Sequence, residues 1–474
     1  MLILLIIYAL LLIAIGALIS RRVKSADDFL VARRNLGPGF IFTTLLAANI
    51  GAGSTVGAAG LGYEFGLSAW WWVGSAGIGS LILAFTVGPT IWRLAKQSNF
   101  YTLGDFLEQR YDRRVRVIVA LVLWLGTLAL LSGQLIAVSR ILDAVANVGK
   151  VVGSVIGGIV VVIYFMAGGL LSSAWVNLIQ LIVMLGGFLV TVPIALHRAG
   201  SWSEVTARVA AQSPDSLRAT DYLSLTGAGW SWILGLVILL VPSFIISPGL
   251  LQKIYGAKNA HAVRLGVAAN AFCLLLFAFL PPLLGVIAFS QFPALSHQED
   301  ALPMLMTRML PEWLGGLALA AVLSAELSTC DAILFMLSTS LSMDLYRTYV
   351  NPQANSQTLL WVNRITASVA GALGIVLALA LPSVIAALTI FYGLLVVSLC
   401  VPLISGLYST KPDSSSVVAA IVISVIVTLA SHRLTHGQGY GWLPPQAVGI
   451  LVSLVIVVVG AKIRRKSVVR ARPE

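Results

Sequence analysis

Residues 47–57 read Ala47-Ala48-Asn49-Ile50-Gly51-Ala52-Gly53-Ser54-Thr55-Val56-Gly57. Three glycines and three polar side chains thus fall in the middle of an otherwise apolar run over 38–63. A second apolar run, 228–252, is interrupted at Val241-Pro242-Ser243-Phe244-Ile245-Ile246-Ser247-Pro248-Gly249, where two prolines remove backbone donors. Backbone that leaves the helix at membrane depth is tolerated only where protein or an aqueous cavity satisfies it. Taken singly, each interruption reads equally well as close packing through small residues or as a proline kink. Taken together they point to a transporter, whose binding site forms where corresponding helices of two halves are broken.

Working outward, the rest of the chain reads as membrane-spanning. Of its 474 residues, 58% are hydrophobic and 10% charged, whereas soluble domains carry roughly 25% charged residues. There is too little charge to coat three soluble domains. A helix needs about 20 apolar residues to cross the hydrocarbon core. That ruler places spans near 2–20, 38–63, 68–92, 117–146, 152–171, 173–197, 228–252, 265–290, 312–345, 360–380, 382–409, 414–431 and 445–462. The runs are too long for barrel strands and lack a period of two. The first run, followed directly by Ser20-Arg21-Arg22, is expected to be a retained span rather than a cleaved signal.

The two interruptions lie in the second and seventh of these thirteen spans, five apart, as a five-plus-five inverted repeat requires. This divides the chain into 1–37 (an extra span and a cytosolic loop), 38–197 (first repeat), 198–227 (an extracellular loop), 228–409 (second repeat) and 410–474 (two extra spans and a basic cytosolic tail). The net charge of +12 is distributed as short basic runs beside apolar ones: Arg21, Arg22, Lys24; Arg110, Arg113, Arg114, Arg116; Arg464, Arg465, Lys466. That is the positive-inside pattern rather than a nucleic-acid groove. With the N-terminus outside, 23 of the 30 basic residues face the cytosol, Lys253 among them, and 7 face out, Arg140 among them. N-out and C-in agrees with an odd number of spans, and Trp70, Trp71 and Trp72 then fall at the outer interface, which suits indole rings. Cys273, Cys330 and Cys400 lie in apolar runs and read as small buried side chains. The five histidines stand at span ends or in loops, unsuited to a metal site. The glycine-rich run 51–57 has no lysine and no preceding strand, so it is not a phosphate loop.

Span nine carries Ser324-Ala325-Glu326-Leu327-Ser328-Thr329-Cys330-Asp331. Ala325, Ser328 and Thr329 are spaced i, i+3, i+4 and share one helix face. Two hydroxyls and a carbonyl from that face make half of a site for a hard cation, which takes about six oxygens. Carbonyls freed where span two unwinds are candidates for the rest. The plain alternative is that such hydroxyls bond the i−4 carbonyl of their own helix. Intramembrane carboxylates are harder to set aside, because each needs a partner or water. Asp331 lies near the Ser328 face, and Glu326 points elsewhere.

These residues resemble those of the sodium:solute symporter family, which includes bacterial sodium/galactose, sodium/proline and sodium/sialic acid transporters. The resemblance rests on Asp28-Phe29-Leu30-Val31-Ala32-Arg33-Arg34, on Ala47-Ala48-Asn49-Ile50, and on Tyr101-Thr102-Leu103-Gly104-Asp105-Phe106-Leu107-Glu108-Gln109-Arg110-Tyr111. It continues through Gly168-Gly169-Leu170, Trp175 to Gln180, Gln252-Lys253 and Ala325-x-x-Ser328-Thr329. It implies an all-α integral membrane protein with a LeuT-type inverted repeat, about thirteen spans and an extracellular N-terminus. It also implies one sodium site, with ligands from the carbonyls of Ala47, Ile50 and Ala325 and the hydroxyls of Ser328 and Thr329. Solute is then expected between the broken helices and spans three and four, with Asn49, Ser54, Thr55, Ser75, Gln134 and Ser243 as polar candidates. One departure stands out: Asn177 occupies a position where the family usually has Asp, which argues against a second sodium unless Asp331 supplies the charge from the opposite helix.

The function expected is sodium-coupled symport of a small polar organic solute into the cell by alternating access, in the plasma membrane and as a monomer, with no enzymatic chemistry. Proton coupling on the same fold, with Asp331 or Glu326 titrating, is the alternative. A sensor or enzyme subunit would need a cytosolic domain, and the tail after Lys462 is a short basic stretch.

Overall fold

The computed structural model describes residues 1–20, 34–166, 170–212, 219–409, 411–437 and 439–470. The motif residues Asp28–Arg33, the pair Gly168–Gly169, and Arg21, Arg22, Lys24, Arg218 and Arg472 lie outside them. Each of the thirteen apolar runs is helical. Among the described residues, ten helices are long and apolar enough to cross a bilayer, and Leu2–Leu12, Pro38–Asn49 and Gly149–Ile163 are shorter apolar helices. Extended pairing is limited there to two isolated bridges, Leu36 with Ala257 and Tyr440 with Leu443.

Both expected breaks are present. Span two begins at Pro38, a residue suited to the first turn because its missing N–H is not needed there. Its helix Pro38–Asn49 stops at Ile50, whose φ and ψ of −99° and 101° are extended. The chain then rewinds through a widened turn, Gly53–Gly57, into Ala58–Phe65. Gly66 ends this half at φ +64°, where a Cβ would lie 1.7 Å from the Tyr222 carbonyl oxygen. Span seven runs Trp230–Ile246, is extended at Ser247 (φ −54°, ψ 118°) and resumes as Pro248–Tyr255. Pro242 remains inside the first helix, and Pro248 restarts the second.

Span nine, Glu312–Thr339 with a wider-wound continuation Ser340–Val350, forms the axis. It is buried along most of its length and packs against spans two, four, six and ten. Lipid tails are as apolar as these side chains, so close approach through small residues holds such helices together. Gly187 of span six meets Ala321 so closely that an added Cβ would lie 2.2 Å from the alanine Cβ.

At the end bearing Arg113 and Arg114, Arg116 is buried among three carboxylates. Its guanidinium pairs with Asp105 at 2.8 Å, Glu108 at 2.7 Å and Asp344 at 2.8 Å. Thr102 donates to Asp344 at 2.5 Å, and the helix Leu103–Arg110 is held by a Thr102–Asp105 capping box. Arg34 donates to the Phe100 carbonyl (2.7 Å) and the Tyr255 carbonyl (3.4 Å), tying the start of span two to the end of span seven.

The opposite end is closed by the connections. The loop 198–227 contains a helix, Trp202–Gln212, and Tyr222, whose hydroxyl reaches the Gly62 and Tyr63 carbonyls at 2.9 and 2.8 Å. Arg140 pairs with Asp300 at 3.3 Å, and the neighbouring Glu299 accepts from the Ile385 N–H at 3.3 Å. Burial pushes the Glu299 carboxyl up to about 7, against the opposing pull of that N–H and of Arg140. Its ordinary value is 4.5. Between the two values the folded chain holds a proton that the unfolded chain has released, so this group's contribution to stability falls as pH rises through that window. The melting temperature of the wild type relative to Glu299→Gln is therefore expected to fall between about pH 5 and about pH 8. Parallel curves for the two proteins would refute the assignment.

Candidate ion and solute site

The Ser328–Thr329 face of span nine packs directly against the break of span two. The Ser328 hydroxyl donates to the Ala47 carbonyl at 2.9 Å and to the Ala325 carbonyl at 3.0 Å. The Thr329 hydroxyl donates to the Ile50 carbonyl at 3.0 Å and the Ala47 carbonyl at 3.2 Å. Five oxygens thus converge, three carbonyls and two hydroxyls, and all five residues are buried. The Ala47 and Ile50 carbonyls are free because the helix stops at Asn49 and no N–H of a following regular turn claims them. Within-helix bonding of the hydroxyls is part of the picture, since Ser328 also reaches Ala325, but three of the four contacts cross between spans.

Beside these oxygens lies a cavity of about 70 Å³, room for a few water molecules. It is bounded by both broken helices, by spans three and four, by span nine and by Leu388, Phe391 and Tyr392 of span eleven. Four of the six polar candidates line it: Asn49, Ser54, Gln134 and Ser243. Gln134 Oε1 accepts from the Ala52 N–H at 2.8 Å, one of the donors released at the break. Asn49 Nδ2 donates to Asn270 Oδ1 at 3.1 Å, and Ser54 donates to the Asn49 carbonyl at 2.7 Å.

The other two are placed elsewhere. Thr55 turns away from the cavity: its hydroxyl lies 2.7 Å from Glu326 Oε1 and 3.0 Å from Gly51 O. Ser75 is fully buried on span three, its hydroxyl without a hydrogen-bond partner, and is absent from the cavity wall. A rotation of about 100°, one residue, separates Ser54, which faces the cavity, from Thr55, which does not, and rotation is set by packing.

Two residues come to the site unannounced by their local sequence. Lys253, counted with the cytosolic loops by charge, is instead buried on the cavity wall, its ammonium donating to the Thr44 carbonyl at 3.0 Å. Its charge lies close enough to act on Asp331. The signal available was its place within an apolar run, Gly249 to Tyr255, rather than beyond one. Trp72, expected at the interface with Trp70 and Trp71, is buried and lines the cavity. Trp70 and Trp71 are half-buried, Trp71 donating to the Leu225 carbonyl at 2.9 Å. Asn177 is fully buried, and neither side-chain atom has a hydrogen-bond partner in the described structure.

Two broken helices around a central cavity, mostly apolar with a few polar side chains, define a LeuT-type fold. The fold matches that of a Na+-coupled sialic acid symporter solved in a substrate-bound outward-open state, with a TM-score of 0.81 over 97% of this chain and 96% of that one at 19% identity. It also matches Mhp1, a nucleobase-cation-symport-1 family transporter, with a TM-score of 0.61 over 93% and 96% at 13% identity. The chain belongs to the sodium:solute symporter family, which it matches over residues 29–429. Its relatives include the sodium/pantothenate symporter of Escherichia coli (strain K12), 28% identical over 92% of this chain and 90% of that one. Another is the sodium/glucose cotransporter of Vibrio parahaemolyticus, 25% identical over 88% and 82%. It is a multi-pass membrane protein, and sodium is its co-transported ion.

Proposed function

We propose that this protein imports a small polar organic solute across the plasma membrane, driven by one sodium ion bound at Ala47, Ile50, Ala325, Ser328 and Thr329. The observation that carries the reading is the convergence of those five oxygens at the break of span two. Sodium takes the place of the hydroxyl protons: Ser328 and Thr329 turn their lone pairs to the ion, and the three carbonyls complete the set. Coupling follows from connectivity. The carbonyls of Ala47 and Ile50 flank Asn49, and Asn49, Gly51 and Ser54 line the cavity, so an ion that fixes one fixes the other. A gradient of one charge across 100 mV supplies about 2.3 kcal/mol, roughly fifty-fold accumulation.

The known relatives carry glucose, pantothenate and proline, which fits a polar cargo without fixing which one. Alternating access is supported by the two broken helices that bound one cavity, with the Arg116 cluster and Arg34 tying spans together at the end the basic clusters assign to the cytosol. A single ion is supported by Asn177, a buried neutral amide.

Uptake by proteoliposomes of a solute panel (sugars, amino acids, vitamins and short carboxylates) under an imposed sodium gradient tests the function. Uptake is expected to require sodium with a Hill coefficient near one. Uptake that follows a proton gradient without sodium would establish the proton-coupled reading instead. The solute wall is tested separately. Ser54→Phe should fill the cavity and abolish solute binding, while sodium still raises the melting temperature as in the wild type. If Ser54→Phe left solute affinity unchanged, the cavity would not be the solute site.

A further inference from the structure

The site as proposed makes no use of Glu326, a carboxylate with no exposure to solvent on the face of span nine turned away from Ser328. Its Oε1 accepts from the Thr55 hydroxyl at 2.7 Å. Its other oxygen, Oε2, is buried without a hydrogen-bond partner. A buried acceptor left unpaired is unfavourable, so a residue that only filled space here would be better apolar.

The geometry points to Glu326 as a positioning residue that clamps the outer half of span two to span nine, and so sets the register of the sodium site. This rests on the sodium assignment above. Span nine touches span two on both sides of its break. Ser328 and Thr329 hold the carbonyls of Ala47 and Ile50 before it, and Glu326 holds Thr55 after it. The Ile50–Thr55 segment is thereby pinned at both ends by groups about one turn apart on one helix. Thr55 also lies 3.0 Å from the Gly51 carbonyl, the ordinary within-helix partner. A hydroxyl has one proton to give, and the shorter contact goes to the carboxylate. The clamp thus takes a donor that the rewound helix would otherwise keep for itself. If it is released, Thr55 falls back to Gly51, the outer half turns, and the Ile50 carbonyl moves relative to Thr329.

The experiment titrates full-length protein with sodium alone, without any solute. Sodium-induced thermal stabilisation and the part of the tryptophan fluorescence change that Trp72→Phe removes, Trp72 packing beside Gly53, are the readouts. Glu326→Leu is expected to raise the half-saturating sodium concentration by about tenfold, the loss of one hydrogen bond to a charged acceptor. Glu326→Gln keeps an acceptor at Oε1 and should stay within roughly threefold of the wild type. Thr55→Val should weaken sodium in the same direction as Glu326→Leu, and the double variant should be no weaker than the worse single one, because both remove the same contact.

A purely structural role would lower the sodium-free melting temperature and leave half-saturation unmoved. That result in Glu326→Leu and Thr55→Val would overturn the proposal, as would full additivity in the double variant. If Glu326→Leu does not fold, Thr55→Val against Glu326→Gln decides: equal sodium affinities at the wild-type value in both would overturn it. A wild type with no sodium response would instead overturn the sodium site itself, and the clamp with it.

Discussion

Ser328→Ala and Thr329→Ala are each expected to raise the sodium concentration for half-maximal uptake by at least about tenfold, since a hydrogen-bonding or ligating group facing a charge contributes about 1.5–3 kcal/mol. Each removes one of two hydroxyls from a set whose other three members are main-chain carbonyls. Thr329→Ser keeps the hydroxyl and should stay near the wild type. Both alanine variants should remain folded, since alanine suits a helix interior and leaves the neighbouring carbonyls only modestly undersatisfied. Sodium-dependent uptake with unchanged half-saturation in both would place the ion elsewhere.

Gly51→Ala is expected to be as severe by a different route. A Cβ at residue 51 would lie 2.5 Å from Thr329 Oγ1, 2.6 Å from Gln134 Oε1 and 2.7 Å from Thr329 Cβ. Separations under 3 Å cannot persist, so either Thr329 leaves the Ile50 carbonyl or Gln134 releases the Ala52 N–H. One loss disables the ion site and the other opens the solute wall. Uptake should fall below detection, and sodium should no longer raise the melting temperature if Thr329 is the group displaced. Gly235→Ala, on the unbroken part of span seven with no atom within 4 Å of the added carbon, serves as the control and should transport normally. Normal sodium affinity in Gly51→Ala would show that the break is looser than the contacts imply.

Much of this molecule was legible along the chain. The apolar runs form helices, ten of them among the described residues long and apolar enough to cross a bilayer, and the glycines at 51, 53 and 57 with the prolines at 242 and 248 mark where two runs come apart. These are local properties. A helix needs only its own residues to satisfy its backbone in lipid, and its interruption is visible wherever donors or side chains are missing. The spacing of Ala325, Ser328 and Thr329 is local in the same sense, because helical pitch puts them on one face whatever lies opposite.

What lies opposite was decided by tertiary packing. The hydroxyls of span nine meet carbonyls 279 and 281 residues earlier in the chain, a pairing no local period encodes. Helix rotation settled which polar residues of span two face the cavity. Ser54 does, while Thr55 is turned to Glu326, a carboxylate whose place in an apolar helix has no rationale until that hydroxyl is beside it. The same packing drew Lys253 inward to the Thr44 carbonyl and Trp72 into the cavity wall, against a reading from charge and interface preference. Those preferences describe how a side chain meets water or lipid. They give no account of a side chain whose helix has been turned so that it meets neither.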